Sequence, residues 1–221
     1  MYIDPSHVNP GQARDQRDFS AHVLQRIQSV AFLGKDGKHF VSTGYDKLVR
    51  IWTLGGQTRE ISGMTATSHS LDTSFNGKHI LSGSVQGEIF VWNPDGEVEF
   101  KQLHHTKGVH AVAFAKHVSD IFATAGGDGK VTIWNRTSGE IHGNLRGHKG
   151  YIRGLAFSPD GKWLASGGQD AKICLWNLET FRLENELNQH TNTVYSLAFS
   201  PDSKHLISGS FDRNVIHWTL A

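Results

Sequence analysis

Four copies of a histidine, a hydroxyl and an aspartate recur along the chain, and hydrolases use this combination of side chains. In each copy the aspartate follows the hydroxyl by four residues, and a tryptophan follows the aspartate by six. The copies comprise His22, Ser42, Asp46 and Trp52; His105, Thr124, Asp128 and Trp134; His148, Ser166, Asp170 and Trp176; and His190, Ser208, Asp212 and Trp218. Enzymes do not carry four copies of one nucleophile site, so we interpret the sets as structural and predict no catalytic residues.

Other residues that could perform chemistry are sparse. His104, His105 and His110 are close in sequence, but no cysteine or clustered carboxylate completes a metal site beside them. The single cysteine, Cys174, lies between apolar residues, which favours a small buried side chain over a nucleophile. The glycine pairs belong to repeated turns and form no phosphate-binding loop. The sequence therefore predicts no metal and no cofactor.

The composition limits the compartment and the kinds of partner. The 221 residues include 22 Lys and Arg against 21 Asp and Glu, a balance that argues against a nucleic-acid partner. One cysteine excludes an internal disulfide and fits a reducing compartment. No stretch approaches the roughly 18 apolar residues of a membrane span, and residues 1–20 hold no signal-peptide core. We expect a soluble intracellular protein, cytoplasmic or nuclear, with no membrane partner.

The spacing of tryptophan reveals the elements that must position these residues. Trp52, Trp92, Trp134, Trp176 and Trp218 follow one another at intervals of 40, 42, 42 and 42 residues, and each ends a short β-rich run. Apolar runs and turn residues earlier in each repeat indicate four short strands per repeat. The third strand carries bulky residues on both faces, so it needs cover on both. Four-stranded sheets stacked around an axis form a propeller, and we predict an all-β fold of this kind.

The repeats resemble those of the WD-repeat family of β-propellers. The resemblance rests on Gly147-His148, Leu155-Ala156-Phe157-Ser158-Pro159-Asp160-Gly161, Ser166-Gly167-Gly168-Gln169-Asp170 and Ile173-Cys174-Leu175-Trp176, a pattern that recurs five times over roughly residues 17–219. It implies five four-stranded blades and a buried network that links the histidine, the hydroxyl, the aspartate and the tryptophan of each set above. Repeat two has Met64 and Gln86 at the histidine and aspartate positions, so its network should be broken and its blade the weakest.

Five blades are a departure, because seven are usual in the family. We expect a disordered tail over residues 1–14 and a propeller domain over residues 15–221. Residues 15–20 occupy a fourth-strand position and could complete the last blade, which would close a five-bladed ring. The alternative is an open arc that exposes an apolar blade face at each end and invites self-association or a partner that completes the propeller. We favour the arc slightly over closure.

The resemblance also implies where partners bind. The usual contact positions lie at the start of the first strand and just before the turn aspartate. The channel position at the start of the first strand maps to Gln28, His69, His110, Arg153 and Tyr195. From all these positions we choose as partner-binding residues Arg26, Tyr45, His110, Tyr151, Arg153, Gln169, Tyr195 and Phe211. Tyrosine and arginine are enriched at binding hot spots, although some of these side chains could simply pack against one another.

The leading functional hypothesis is a non-enzymatic scaffold that binds protein or peptide partners through the propeller faces and can act as a subunit of a larger complex. Two alternatives stay open. One is a propeller enzyme with a site in the channel, and the other is a recognition module for nucleic acid or modified peptides. Fold alone does not decide among them.

Overall fold

A computed structural model describes residues 26–56, 58–116 and 120–220. Three sequence-based predictions lie outside these ranges: the disordered tail over residues 1–14, the strand over residues 15–20 and the network residue His22. In the described ranges there is no helix of the length and apolarity that crossing a membrane requires.

Nineteen strands form five antiparallel sheets, each made of strands consecutive in the chain. Blade 1 contains β1 (Ile27–Phe32), β2 (His39–Gly44), β3 (Val49–Thr53) and β4 (Thr58–Ile61). Blade 2 contains β5 (Ser68–Thr73), β6 (Ile80–Ser84), β7 (Glu88–Trp92) and β8 (Val98–Leu103). Blade 3 contains β9 (Val109–Phe114), β10 (Ile121–Gly126), β11 (Lys130–Asn135) and β12 (Ile141–Arg146). Blade 4 contains β13 (Ile152–Phe157), β14 (Trp163–Gly168), β15 (Ile173–Asn177) and β16 (Arg182–Leu187), and blade 5 contains β17 (Val194–Phe199), β18 (His205–Ser210) and β19 (Val215–Thr219).

These sheets confirm the predicted all-β propeller fold, with one difference in the last blade. Blade 5 has three strands among the described residues, where four were predicted. The segment predicted to supply its fourth strand, residues 15–20, lies outside the described ranges.

Turns between the first and second strands follow a repeated side-chain chemistry. In blade 4, Ser158 Oγ donates to Asp160 Oδ1 and accepts from the Trp163 N–H. Gly161 closes this turn with a φ of 75°, a left-handed conformation that glycine adopts without a steric cost. A serine, an aspartate and a glycine thus set the turn from which β14 begins.

The core lies between the blades, because both faces of each inner sheet are covered. Ala123 and Val131 of blade 3 pack against Leu164 and Trp176 of blade 4, and all four side chains are at most 1% exposed. The third strand therefore buries β-branched residues on one face and tryptophan on the other. This two-sided cover is the arrangement that the bulky residues of the third strand predicted.

The described blades form an open arc. The first strands contact one another in chain order, from β1 through β5, β9 and β13 to β17, and in the described ranges no contact of similar extent joins β17 to β1. Val131 and its equivalents Val49, Ile89 and Ile173 are fully buried, whereas the equivalent Val215 in blade 5 is 76% exposed. Blade 1 exposes 62% of Phe32. The two end faces of the arc therefore expose apolar side chains that the inner blades bury.

Equivalent valines offer a matched test of this arrangement. We expect Val131→Ala to lower the free energy of unfolding by about 2 kcal/mol, because it removes two buried methyl groups and leaves a cavity. Val215→Ala should cost under about 0.5 kcal/mol, because its side chain is exposed. Urea unfolding of both variants measures the difference. Equal losses would show that the end face of blade 5 is covered in solution.

Candidate functional site

Five equivalent backbone hydrogen bonds build one face of the propeller. In each blade the residue before the turn aspartate position donates its N–H to the segment that leads into the first strand. The donors are Tyr45, Val85, Gly127, Gln169 and Phe211, and their acceptors, in the same order, are the carbonyl oxygens of Arg26, Thr67, Gly108, Tyr151 and Thr193, at 2.8 to 3.2 Å. The positions just before the turn aspartate are thus joined, pair by pair, to the residues that stand two positions before the channel position, at one end of the channel.

Four rings from successive blades form a continuous row on this face, which we call the aromatic row. Its members are Tyr45, His69, His110 and Tyr151, and the centroids of neighbouring rings lie 6.1, 5.5 and 5.0 Å apart. Both terminal tyrosines keep more than a third of their surface exposed. The row therefore presents edges and faces of several rings to solvent while its members support one another.

Two members of this arrangement were not selected from the sequence. His69 mapped to the channel but was not chosen as a partner residue, although it is the equivalent of His110 one repeat earlier. Gly127 provides the space for Tyr151, because a β-carbon at this glycine would lie 2.5 Å from the Tyr151 ring. The repeat position that His69 shares with His110 could have identified His69 from the sequence. The space for Tyr151 over Gly127 depends on where a side chain from the next blade lies, which the sequence pattern does not show.

Arg153 lies between the aromatic row and the channel. Its guanidinium lies 5.4 Å from the centroid of the Tyr151 ring, and its Nη1 is 3.2 Å from Nδ1 of His110. Burial, followed by the charges of Arg153 and His69, lowers the pKa of His110 to about 4. Burial and the Arg153 charge also lower the pKa of His69. At neutral pH both imidazoles are therefore uncharged and Arg153 carries the positive charge.

A second exposed pair lies on blade 5. The Tyr195 and Phe211 rings have centroids 6.3 Å apart and are 50% and 68% exposed. Tyr195 and Arg153 line the same channel cavity, as their equivalent positions predicted. Arg26 and Gln169 lie exposed beside this face, where they contribute backbone groups to the hydrogen bonds described above.

The channel has a different character at its two ends. The cavity beside Arg153 measures about 490 Å³ and receives residues from all five first strands. A second cavity, of about 610 Å³, is lined mainly by apolar residues, and it includes Asp72 and Lys116. Burial raises the pKa of Asp72 above its ordinary value, against the opposing effects of Lys116 and the Phe114 N–H. The charged and aromatic contact residues thus gather at the first end.

Inside blade 4 the predicted network residues form one hydrogen-bonded chain. His148 Nδ1 lies 3.0 Å from both oxygens of Asp170, and its Nε2 lies 2.8 Å from Ser166 Oγ. Trp176 Nε1 donates to the same hydroxyl at 2.8 Å. Burial favours protonation of Asp170, but hydrogen bonds from His148 and backbone N–H groups outweigh it and lower the pKa of this carboxyl. The carboxylate is charged and satisfied at neutral pH.

The same chain occurs in blades 3 and 5. The imidazole-to-hydroxyl distances are 2.9 Å for His105 and Thr124 and 2.7 Å for His190 and Ser208. The tryptophan of each blade donates to that hydroxyl at 2.9 and 2.8 Å. Hydrogen bonds from backbone N–H groups and His190 overcome the effect of burial and lower the pKa of Asp212 to about 2.

In blades 1 and 2 the hydrogen bonds of the turn differ from those of the other blades, and in blade 2 those of the tryptophan differ as well. In blade 1, Trp52 donates to Ser42 at 2.8 Å and Arg50 binds the Asp46 carboxylate. In blade 2, Trp92 Nε1 is buried and has no hydrogen-bond partner among the described residues, and the Ser82 hydroxyl, the equivalent of Ser166, bonds to Ser68 and to the Ser70 carbonyl oxygen instead.

Blade 2 nevertheless retains one carboxylate contact that the sequence reading missed. Glu88 Oε2 accepts the N–H of Thr65 at 3.3 Å and its hydroxyl at 2.7 Å. Thr65 is the equivalent of Lys149, whose N–H bonds to Asp170 in blade 4. The network of blade 2 is therefore incomplete at its tryptophan but rebuilt at its turn.

The geometry of these sets opposes hydrolysis. Ser166 is fully buried, and its oxygen already accepts the indole N–H of Trp176, so no substrate carbonyl can reach it. The described residues include no group of three or more His, Cys, Asp or Glu side chains that could hold a metal ion. Burial raises the pKa of the Cys174 thiol to about 12, which keeps it protonated and unreactive.

The fold and the repeated network define a β-propeller whose blades share one internal hydrogen-bond pattern. The chain belongs to the family described as "WD domain, G-beta repeat", whose pattern matches residues 14–53, 55–93, 97–135, 139–177 and 181–219. The recognition of WD repeats from the sequence is thereby confirmed.

Similar proteins include several with names that refer to complexes or cellular organisation. The nuclear distribution protein nudF of Emericella nidulans is 28% identical over 62% of this chain. The chromatin assembly factor 1 subunit FAS2 homolog of Oryza sativa subsp. japonica is 32% identical over 58%, and THO complex subunit 3 of Arabidopsis thaliana is 32% identical over 49%. The matched regions span only 36%, 29% and 36% of these relatives' own lengths.

The blade network predicts a sharp difference between two equivalent turn positions. Asp170→Ala should lower the free energy of unfolding by about 3 kcal/mol, because it leaves the buried His148 side chain and the backbone N–H of Lys149 without their acceptor. Gln86→Ala is the matched control, and it should cost under about 1 kcal/mol because Gln86 is exposed and receives one long hydrogen bond, from Thr65 at 3.3 Å. Thermal and urea unfolding measure both values. Similar losses would contradict a stabilising role for the network.

Proposed function

We propose that this protein is a non-enzymatic scaffold that binds protein or peptide partners through the face carrying the aromatic row, Arg153 and the Tyr195–Phe211 pair. The observation that carries this proposal is the concentration of exposed rings and one guanidinium on turns and at the starts of first strands, which backbone hydrogen bonds hold in place. Tyrosine and arginine bind partners effectively because they offer large contact areas with few freely rotating bonds. A rigid scaffold that presents such side chains avoids much of the entropy cost of binding.

The relatives support an interaction role. Two of them are named as subunits of a chromatin assembly factor and of the THO complex. We propose that this chain likewise works within a protein assembly, in the cytoplasm or the nucleus. The near balance of acidic and basic residues supports a protein partner over a nucleic acid, whose binding would need a broad basic surface.

A pull-down with matched variants tests the binding face. Tyr195→Ala and Phe211→Ala should each weaken partner recovery by roughly 30-fold in Kd, the equivalent of about 2 kcal/mol for a true anchor. Leu103→Ala is the control, because Leu103 is 69% exposed on the outer strand β8, away from the aromatic row. Mass spectrometry identifies the recovered proteins, and melting temperatures are measured in parallel.

The outcomes separate binding from packing. Partners lost with both ring variants but retained with Leu103→Ala, at unchanged melting temperature, support the proposal. Unchanged recovery with both ring variants would place the binding surface elsewhere. A large drop in melting temperature would show that the rings serve packing instead.

The end faces of the arc support a second mode of association. Phe32 at one end and Val215 at the other occupy positions that the inner blades use against each other. We therefore propose that one copy docks head to tail on a second copy, since the two faces are the two halves of a blade interface.

Native mass spectrometry tests this association. The purified chain should form dimers or larger species, and Val215→Asp should convert them to monomers while deletion of residues 1–20 has little effect. A compact monomer that the deletion destroys would instead indicate closure of the ring within one chain. A monomer that forms larger species only with an added partner would indicate completion by that partner.

A further inference from the structure

Arg153 differs from the other partly buried arginines in its surroundings. Arg50 pairs with Asp46 and Glu60, and Arg136 pairs with Asp120 and Glu99. The half-buried Arg153 contacts a neutral imidazole and a tyrosine ring, and no aspartate or glutamate lines its cavity among the described residues. A guanidinium removed from water normally requires a carboxylate or phosphate partner.

The protonation state of His110 follows from the geometry. Guanidinium nitrogens only donate hydrogen bonds, so Nδ1 of His110 must accept the one from Arg153. Nε2 then carries the proton and donates it to the carbonyl oxygen of Lys107 at 3.1 Å. A protonated His110 would turn an N–H toward the Nη1–H of Arg153. The imidazole is therefore a weak, uncharged partner that a stronger acceptor can displace.

The cavity has the size and the polar groups that a charged ligand group needs. Besides Arg153 and the two histidines, its lining includes Gln28 and Ser196. These residues come from different blades, so their hydrogen-bonding groups converge on one space from several directions. This convergence on a single cation is typical of a pocket for one anionic group rather than of a flat docking patch.

We propose that this cavity binds an anionic group of a partner peptide, a carboxylate or a phosphate, which takes the place of His110 at Arg153. The proposal rests on the binding face proposed above and names the chemistry that this face recognises. Arg153 forms paired hydrogen bonds with the two oxygens of the anion, and the released His110 ring turns a donor toward it.

Binding of an anion must be linked to proton uptake. The groups that face His110 are Arg153 and Tyr151 from blade 4, His69 from blade 2, and His105 and the Lys107 carbonyl from its own blade. Arg153, His69 and His105 disfavour the imidazolium, and an anion beside it reverses that effect. The pKa of His110 is therefore higher in the complex, and the protonated protein binds the anion more tightly. Affinity for an anion of constant charge should rise as the pH falls from about 6.5 towards 4.

Histidine-ring NMR of the 221-residue chain tests the linkage, with inorganic sulfate as the probe because its charge stays constant in this pH range. Sulfate should raise the titration midpoint of His110 by about one pH unit, which corresponds to about tenfold tighter binding to the protonated form. Chloride at equal ionic strength controls for screening. The exposed His142 on the outer strand β12 is an internal control, and its midpoint should not respond to sulfate beyond the chloride effect.

Two substitutions make the test specific. Arg153→Gln should reduce sulfate affinity at least tenfold, and without sulfate it should raise the His110 midpoint from about 4 towards the ordinary value, because the repelling charge is gone. Arg182→Gln, an exposed arginine on the outer strand β16, should leave both quantities unchanged. N-acetyl glutamate amide and N-acetyl phosphoserine amide then decide which anion the cavity prefers. The amide spectrum of each variant verifies its fold.

The results distinguish this inference from the proposed function. If sulfate shifts His110 and His142 equally, or if Arg153→Gln responds like the unmodified chain, the anion pocket is wrong. If the anions bind at Arg153 but the ring variants Tyr195→Ala and Phe211→Ala retain all partners, the pocket stands and the proposed partner face fails. If the anions do not bind but those variants lose partners, the face stands without an anion pocket.

Discussion

The carboxylate at the turn of a blade fixes the loops that carry the proposed binding residues. Asp170 accepts hydrogen bonds from His148 and from the backbone N–H of Lys149, two residues before Tyr151. The N–H of Gln169, next to this aspartate, bonds to the Tyr151 carbonyl. One side chain therefore holds both segments, and Asp212 does the same in blade 5 through the N–H of Thr191. A buried carboxylate without donors is costly, so its satisfaction dictates the loop geometry.

Blade 2 shows that the loop needs an acceptor more than it needs a particular aspartate. Gln86 stands at the aspartate position, yet Glu88 reaches the N–H of Thr65. The backbone bond between Val85 and Thr67 survives at 2.9 Å, and His69 takes its place in the aromatic row. The unpartnered indole of Trp92 shows what was lost. The inner network and the surface row are therefore separable, because the row depends on the turn and not on the tryptophan.

The repeat explains how much the sequence could predict. A tryptophan period of about 42 residues and a Ser/Thr-to-Asp spacing of four specify strands, register and blade number, since the first pattern recurs over five repeats and the second over four. Equivalent positions also brought Arg153 and Tyr195 to one cavity. Arg153 and His110 hold the same position in neighbouring repeats, so the pattern places them close together, but their hydrogen bond depends on side-chain rotamers that the pattern does not specify. The packing of the Tyr151 ring over Gly127 also depends on side-chain conformation. The same is true of Glu88, whose carboxylate takes over the role of the turn aspartate in blade 2.

Whether the blades form a closed ring or an open arc could not be predicted from the repeat pattern, for a related reason. Val215 and Val131 are the same residue at the same repeat position, so nothing in their local sequence distinguishes a buried valine from an exposed one. Their burial differs because the next blade is present in one case and not in the other, among the described residues. A repeat pattern predicts which side chains each blade presents for packing, but only the structure shows which of them a neighbouring blade covers.

Two departures from well-satisfied burial, at Trp92 and at Arg153, have different meanings. Among the described residues the Trp92 indole has no hydrogen-bond partner, and because it is buried inside a blade, where no ligand can reach it, it is a local loss of stability. Arg153 lacks a carboxylate at the mouth of a cavity, where a ligand can supply one. Proteins that are consistent elsewhere tend to break local rules at functional sites. The near-neutral total charge of the chain provides little long-range attraction for an anion. Recognition of an anion at this cavity must therefore come from Arg153 itself, which contacts the uncharged rings of His110 and Tyr151.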